Sequence, residues 1–271
     1  IPEFRAMALL DDQTVLLLNI GSPAFILKTT NKGKTWRRVY NNTRKQIFFD
    51  AMQFADSKNG IAIADPIDSN FVIVRTTDGG DSWQQLNAAR LPKAYKDEAF
   101  FASSNSNISY IGKRVRIASG GSHARVLISD DAGFNWKIIE TPISSGKQMT
   151  GIYTMDFCNT QVGIVAGGDY DTKLSAANTK AITTDGGQSW KAVSNNSLPG
   201  FISCVKYQPG KNCQTILVSC LPGIFISDDG GVNWKIINEQ ASYYTFNFSP
   251  TGKVAWLAGA RGTLTKMIFK Y

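Results

Sequence analysis

The sequence predicts an all-β fold, a β-propeller of four-stranded antiparallel blades with six blades visible, on three observations. One pattern occurs five times: Ser or Thr, any residue, Asp, any residue, Gly, two residues of any kind, Trp. Successive copies lie 44 to 54 residues apart, and five of the six Trp residues occupy this one slot. No segment sustains a helical apolar period over three turns, so the repeating unit is built from strands.

The copies span residues 29–36, 76–83, 129–136, 183–190 and 227–234, with Asn31 replacing Asp in the first. A β-rich run precedes each box, as in Ala24-Phe25-Ile26-Leu27 and Arg125-Val126-Leu127-Ile128. Upstream lies a run ending in small residues, as in Ile61-Ala62-Ile63-Ala64, and before that an aromatic-rich run at 48–54, 99–102, 152–157, 201–207 and 243–248. A short run follows the box, as in Lys137-Ile138-Ile139. Each unit thus holds strands A to D, from axis to rim, in about 45 residues, the size of a propeller blade. The units start near 4, 47, 98, 150, 200 and 242, and the whole of 1–271 reads as one domain. The sixth has no box and no full strand D, an edge expected to pair with a segment from the other terminus.

The box spans the C–D hairpin. Its Gly permits a positive φ, its Asp accepts turn N–H groups and its Trp supplies packing area. Asn31, Asp78, Asp131, Asp185 and Asp229, with Trp36, Trp83, Trp136, Trp190 and Trp234, are therefore read as structural. Calcium at Asp130-Asp131 or Asp228-Asp229 is the lesser reading, because a box brings one or two carboxylates and calcium takes six to eight oxygens.

Composition sets the outer limits. Hydrophobic residues make up 43% and charged residues 18%, which is globular. The net charge of +8 comes from scattered Lys and Arg, so no nucleic-acid interface is expected. No apolar run reaches the length of a membrane-spanning helix. A single His and four Cys without CxxC spacing argue against a metal centre, and no cofactor motif is present: no P-loop, nucleophile elbow or dinucleotide fingerprint. Cys158 and Cys213 fall near A–B hairpins of neighbouring units. They are a candidate disulfide, with buried free thiols as the favoured expectation. The opening Ile-Pro-Glu-Phe reads as the start of a processed or trimmed product.

Strand order sorts the polar residues. Boxes and A–B hairpins share one pole; B–C loops and D–A connections share the other, where a propeller leaves a concave mouth. That pole carries the candidate ligand-binding residues Asp65, Glu98, His123, Arg125, Asp169, Tyr170 and Arg261, with Asp50 beside them. The loop 169–180 is long enough to form a partial lid. Each residue also has an ordinary reading: Asp65 as a turn residue before Pro66, Glu98 paired with Arg125, Asp169 and Tyr170 in a polar loop, His123 exposed, Arg261 solvated between glycines. No catalytic residue stands out. Asp65, Glu98 and Asp169 are the acids from which a glycosidase pair would be drawn.

The boxes resemble the Asp-box (BNR) repeats of sialidases, sortilin-type receptors and the propeller that assists photosystem II assembly. Over most of the chain the likeness is to bacterial photosystem II assembly-factor-like propellers. It is carried by Phe48-Phe49-Asp50-Ala51-Met52, Gly60-Ile61-Ala62-Ile63-Ala64-Asp65-Pro66, Glu98-Ala99-Phe100-Phe101-Ala102-Ser103, Ser119-Gly120-Gly121, Arg125-Val126, Gly151-Ile152 and Gly167-Gly168-Asp169-Tyr170. The resemblance implies a seven-bladed relative whose second blade matches the first unit here, so an upstream blade is absent from this chain. It also implies a secreted, periplasmic or cell-surface bacterial protein. A sialidase-like site would need three convergent Arg residues; Arg5, Arg125 and Arg261 are the trio, but Phe4-Arg5-Ala6-Met7 departs from the Arg-Ile-Pro motif.

The expected function is a non-enzymatic, monomeric, exported binding or assembly protein that engages a protein or glycan through the face opposite the boxes. The alternative is a glycoside hydrolase using acids at the mouth, and a third reading is a structural module of a larger secreted protein.

Overall fold

A computed structural model of the chain describes residues 1–172, 177–193, 200–239 and 243–270. Six antiparallel sheets stand around a common axis. Blade 1 is β1 (Phe4–Leu9), β2 (Val15–Asn19), β3 (Ala24–Thr29) and β4 (Arg37–Asn42). Blade 2 is β5 (Phe49–Phe54), β6 (Gly60–Ile67), β7 (Asn70–Thr76) and β8 (Gln84–Gln85). After a two-residue strand β9 (Glu98–Ala99), blade 3 runs β10 (Ile108–Ile111), β11 (Arg114–Ala118), β13 (Arg125–Ser129) and β14 (Lys137–Glu140), with β12 (Gly120–Gly121) between β11 and β13. Blade 4 is β15 (Thr150–Phe157), β16 (Gly163–Asp169), β17 (Lys180–Thr183) and β18 (Lys191–Ala192). Blade 5 is β19 (Ile202–Tyr207), β20 (Ile216–Cys220), β21 (Gly223–Ser227) and β22 (Lys235–Asn238). Blade 6 has three strands, β23 (Tyr243–Phe248), β24 (Val254–Gly259) and β25 (Leu264–Ile268).

The core lies between neighbouring sheets. Along β6, Ala62 and Ala64 pack toward blade 1 with Leu16, Leu18 and Ile26, while Ile61 and Ile63 pack toward blade 3 with Val115 and Leu127. Alternation therefore assigns each side chain to one of two interfaces, and the inner strands read as nearly continuous apolar runs because both faces are covered.

Each box is a closed hydrogen-bond ring. In the second, the Thr76 hydroxyl donates to Asp78 Oδ1 at 2.7 Å and accepts from the Gly80 N–H at 2.9 Å. Asp78 Oδ1 also accepts from the N–H groups of Asp81 and Ser82, both at 3.0 Å, and Oδ2 from the Ser82 hydroxyl at 2.6 Å. Asn31 does the same with one oxygen, accepting from the Thr35 N–H at 2.9 Å. The box Gly stands at positive φ in all five copies, from 81° at Gly33 to 97° at Gly231, where a side chain would be strained.

Two further bonds orient the box. The N–H of its fourth residue donates to a carbonyl of the A–B hairpin in the same blade: Lys32 to Gln13, Gly79 to Lys58, Ala132 to Lys113, Gly186 to Gln161 and Gly230 to Gln214, at 2.7–3.0 Å. Boxes and A–B hairpins thus occupy one pole. The indole N–H of Trp36, Trp136 and Trp234 donates to the carbonyl of its own box Gly at 2.9–3.1 Å. The ring then packs backward onto the preceding blade, Trp83 among Leu16 and Leu18 and Trp234 among Ile164 and Ala166. Arg116, wholly buried, reinforces one such junction by donating to Gly186 O at 2.9 Å and Thr160 O at 2.7 Å.

Three expectations are corrected. Strand A of blade 3 is not 99–102 but Ile108–Ile111. Glu98–Ala99 instead pairs with Gly120–Gly121, which in turn pairs with Gly151 of blade 4. A Cβ on Gly120 would lie 2.2 Å from the Phe101 ring, and one on Gly151 would lie 2.3 Å from Gly120 Cα, so the bridge depends on bare backbone. Second, among the described residues no terminal segment completes blade 6: β1 pairs with β2 as the innermost strand of its own blade. Third, Cys158 and Cys213 are not free thiols but a disulfide with Cα atoms 5.5 Å apart, joining the A–B hairpins of blades 4 and 5. Cys204 and Cys220 are free and buried. Residues 173–176 of the expected lid lie outside the described residues.

The Asn135 N–H is the main influence holding the Asp131 carboxyl at about 2, and the Ser189 hydroxyl does the same for Asp185. Folded values below the usual 3.8 mean this stability is complete above about pH 4 and lost as pH falls toward 2. The Asp131→Asn/Asp185→Asn variant should fold, as Asn31 does in its own box, and should lose less stability than wild type between pH 4 and 2 in urea titrations; an unchanged slope refutes the assignment. Cys158→Ser/Cys213→Ser, which opens a loop of sequence separation 55, should lose about 4 kcal/mol in guanidinium unfolding.

Candidate binding site at the axial mouth

At the pole opposite the boxes, the bridge of β9 and β12 delivers Glu98 beside Arg125, the first residue of β13. Arg125 donates from Nε to Glu98 Oε1 at 2.9 Å and from Nη2 to Oε2 at 2.5 Å. Glu98 also accepts from the Ser119 hydroxyl at 2.6 Å and the Tyr95 N–H at 2.9 Å, and Arg125 donates to Lys93 O at 3.0 Å. Both side chains are buried. A bidentate, fully partnered pair of this kind is a fastener, with no lone pair left for proton transfer. The guanidinium lies 4.4 Å from the Tyr95 ring centroid, and His123 stacks on Tyr95 at 3.7 Å. Arg125 and His123 thus converge on one aromatic ring.

The other predicted residues separate. Asp169 Oδ1 accepts from the N–H groups of Asp171 and Thr172, and Lys147 approaches Oδ2 at 3.4 Å, so it caps its own turn. The Thr172 N–H leads in holding its carboxyl below the usual range. Arg261 sits at φ 58° in a short 3-10 turn and is not among the residues lining the axial cavity. Asp65 accepts from the Phe100 N–H at 2.9 Å, and burial pushes its carboxyl up to about 6. Its neighbour Asp50 is 1% exposed with neither oxygen hydrogen-bonded. Burial first, then the Asp65 charge, raises Asp50 well above the usual range, and Arg5 opposes the rise.

The centre of the mouth is an open cavity of about 460 Å³ lined by Arg5, Ala102, Ser103, Tyr170, Phe201, Ser203 and Tyr244. Of the seven expected ligand-binding residues Tyr170 alone is among them; Arg5 enters the sequence reading only as one of the Arg trio of a sialidase-like site. The rest come from a device the sequence reading missed. In five of the six blades, strand A shifts register near its start, after the first paired residue in four and after the third in blade 4, and the extra residue is Arg5, Asp50, Tyr153, Ser203 or Tyr244. A bulge re-aims one side chain without breaking the sheet. Here it repeats around the axis, so these five positions form a ring. The signal was present as one variable position in otherwise apolar A strands: Phe4-Arg5-Ala6, Phe49-Asp50-Ala51, Ile152-Tyr153-Thr154, Ile202-Ser203-Cys204, Tyr243-Tyr244-Thr245.

Tyr153 anchors the aromatic wall. It stacks on Phe101 at 3.8 Å, meets Phe201 edge-on at 4.5 Å and donates its hydroxyl to Met149 O at 3.1 Å. Tyr170 packs edge-on against Phe201 at 5.3 Å. Below the wall, hydroxyls tie blades 3 to 6 across the axis: Ser104 to Ser106, Ser106 to Thr154 at 2.7 Å, the Val205 N–H to Thr154 at 3.0 Å, and Thr245 to Ser104 O at 3.0 Å.

Known proteins add the following. A family model described as BNR/Asp-box repeat matches residues 181–192, from the strand before the fourth box through the strand after it. The chain is a six-bladed β-propeller whose fourth blade carries the match to the Asp-box repeat, and solved propellers share its fold. YCF48 bound to D1 peptide superimposes with TM-score 0.65 at 17% identity, covering 98% of this chain and 77% of that one. The GH74 xyloglucanase from Xanthomonas campestris gives TM-score 0.64 at 17% identity, covering 96% of this chain and 44% of that one. An ancestral GH74 enzyme gives 0.69 at 13% identity, covering 98% and 36%. This chain therefore spans less than half of either GH74 enzyme. No curated protein sequence matches it.

Two outcomes check this geometry. Asp65→Asn should match wild-type stability below pH 4, then gain on it through pH 6, reaching roughly 2–3 kcal/mol at pH 7, because wild type must ionise a buried carboxyl that the amide leaves neutral. Arg125→Ala should lose about 3–5 kcal/mol by stranding the buried Glu98 charge, and Glu98→Gln in the same chain should recover part of it.

Proposed function

We propose that this propeller is an exported, non-enzymatic binding module that receives a protein segment in the axial cavity. One observation carries the reading. The acids at the mouth are occupied or inaccessible: Glu98 by Arg125, Asp169 by its own turn, Asp65 by the Phe100 N–H, Asp50 by burial. What faces the cavity is aromatic surface, the Ser103 and Ser203 side chains and Arg5, groups that hold a ligand and offer no acid–base pair.

Arg5, which in this structure donates to Glu3 Oε1 at 2.7 Å, and the net charge of +8 favour an acidic or carboxylate-bearing segment that takes the place of Glu3. The Cys158–Cys213 bond fits an oxidising compartment, in keeping with export. The peptide-bound state of YCF48 supports a protein over a glycan as the ligand class. A second reading, hydrolysis of a glycan, draws on the GH74 neighbours and on the raised carboxyls of Asp50 and Asp65. The burial of Asp50 weighs against it.

A displayed peptide library panned on the protein, beside a panel of soluble glycans assayed for turnover, separates the two. Binding predicts enriched peptides whose affinity falls at least tenfold in Tyr244→Ala and Arg5→Glu, both exposed positions, with no glycan cleaved. Glycan turnover that disappears in Asp65→Asn would overturn it.

A further inference from the structure

Two sequence slots recur at the blade junctions: the residue just before one box, and the sixth residue of the next box. Between blades 1 and 2 these slots form an ion pair. Lys28, its side chain only 7% exposed, donates to Asp81 Oδ1 at 2.5 Å. Between blades 2 and 3 the same slots hold Arg75 and Phe134. The cation is kept, but the acid is replaced by a ring that is 51% exposed, with the Arg75 guanidinium 4.4 Å from its centroid. The next two junctions hold Ile128 with Gln188 and Ile182 with Val232, so neither is charged. Stacking on a ring engages the face of a guanidinium and leaves its in-plane N–H groups able to grip a carboxylate with two parallel bonds. Among the described residues the Arg75 side chain has no ion pair and no hydrogen bond.

The chain after the second box opens this junction into a cleft. Strand β8 stops after two residues, and 88–90 form a 3-10 turn capped by Asn87, whose side chain accepts from the Ala89 N–H at 2.9 Å. Elsewhere the box Gly lies against a strand of the preceding blade: Gly80 against Leu16, Gly187 against Ile128 and Gly231 against Ile164. Gly133 instead meets Leu86, just past the end of β8. The resulting cavity of about 370 Å³ is lined by Arg75, Arg90 and Phe134 with Gln84, Gln85 and Asn87 among its polar walls, within the size range of small-ligand sites. Arg90 also has no ion pair among the described residues. Arg44 donates to Gln85 Oε1 at 2.9 Å, so a third guanidinium stands beside the cleft. No Asp or Glu lines it, and Asp78, bonded to the lining residue Ser82, is taken up by its own turn.

Guanidinia without acids call for an anion. An exposed ring and neutral amides around them suit a sugar, whose C–H face covers the ring while its hydroxyls meet Gln84 and Asn87. An extended polypeptide would need a ladder, and β8 offers only two residues of edge. We propose that the cleft between blades 2 and 3 binds an acidic saccharide, its carboxylate held by Arg75 and Arg90 beside the Phe134 ring. The site lies among box residues, is separate from the axial cavity, and does not depend on the function proposed for that cavity.

Isothermal titration of the full chain with tetragalacturonate, cellotetraose and an end-blocked tetraglutamate peptide tests it. Saturable binding of tetragalacturonate is expected, roughly tenfold tighter than either other probe. Phe134→Asp, which gives this junction the acid that Asp81 supplies between blades 1 and 2, should abolish that binding and leave the thermal midpoint no lower. Arg90→Gln, at an exposed position, should weaken it roughly tenfold. Tyr244→Ala, in the axial cavity, should leave it unchanged. No saturable binding of tetragalacturonate, equal binding of cellotetraose or of the tetraglutamate peptide, full binding in both Phe134→Asp and Arg90→Gln, or loss of binding in Tyr244→Ala would overturn the proposal.

Discussion

The architecture depends on how each C–D hairpin is fastened. Inside a blade, the N–H of the fourth box residue reaches the A–B hairpin, fixing the box to its own sheet. Between blades, the box Trp and Gly press on the sheet before. One eight-residue sequence thus performs both the local closure of a turn and the lateral stacking of sheets. Its charged group is an interior part of that turn. Asp78 spends its oxygens on two N–H groups and two hydroxyls, which leaves no ligand set for an ion. A propeller can accordingly vary its opposite pole without disturbing what holds the sheets together.

That opposite pole is organised by bulges. Shifting register once in strand A turns a single side chain out of the pleat, and five blades use this at the same level. Positions with one geometric role then differ freely in chemistry: a cation at Arg5, a buried acid at Asp50, an aromatic anchor at Tyr153, a hydroxyl at Ser203, an exposed ring at Tyr244. The bridge through Gly120 and Gly151 belongs to the same region. It pulls blades 3 and 4 together and carries Glu98 into its clasp with Arg125, so the rim of the mouth is rigid while its centre stays open.

Much of this was legible in the residues. The Trp spacing located the turns, and the run 61–64, ending in small residues, located an inner strand. Strand order alone placed Glu98, Arg125 and Asp65 on the pole away from the boxes. What escaped has physical reasons. A bulge needs no special residue, so Ser203 and Tyr244 looked like ordinary strand members until pairing showed the slip. Phe100 and Phe101 have strand character, yet they lie in an irregular stretch, stacked on Phe71 and Tyr153 respectively, and the regular strand starts later, at Ile108. The pairing of Cys158 with Cys213 is set by the tilt between neighbouring hairpins, which spacing does not encode. The pairing of Glu98 with Arg125 is one of two readings the residues leave open, and the structure selects it; Asp169 looked like an available acid because sequence shows a charge and not the turn N–H groups that occupy it.

The central claim is that box indoles are the contacts between successive blades, with the first left bare. Acrylamide quenching of variants that keep a single box Trp, the other Trp residues replaced by Phe, tests it most directly. The account predicts strong quenching for Trp36 and several-fold weaker quenching for Trp83 and Trp234. Equal quenching at all three positions would contradict it.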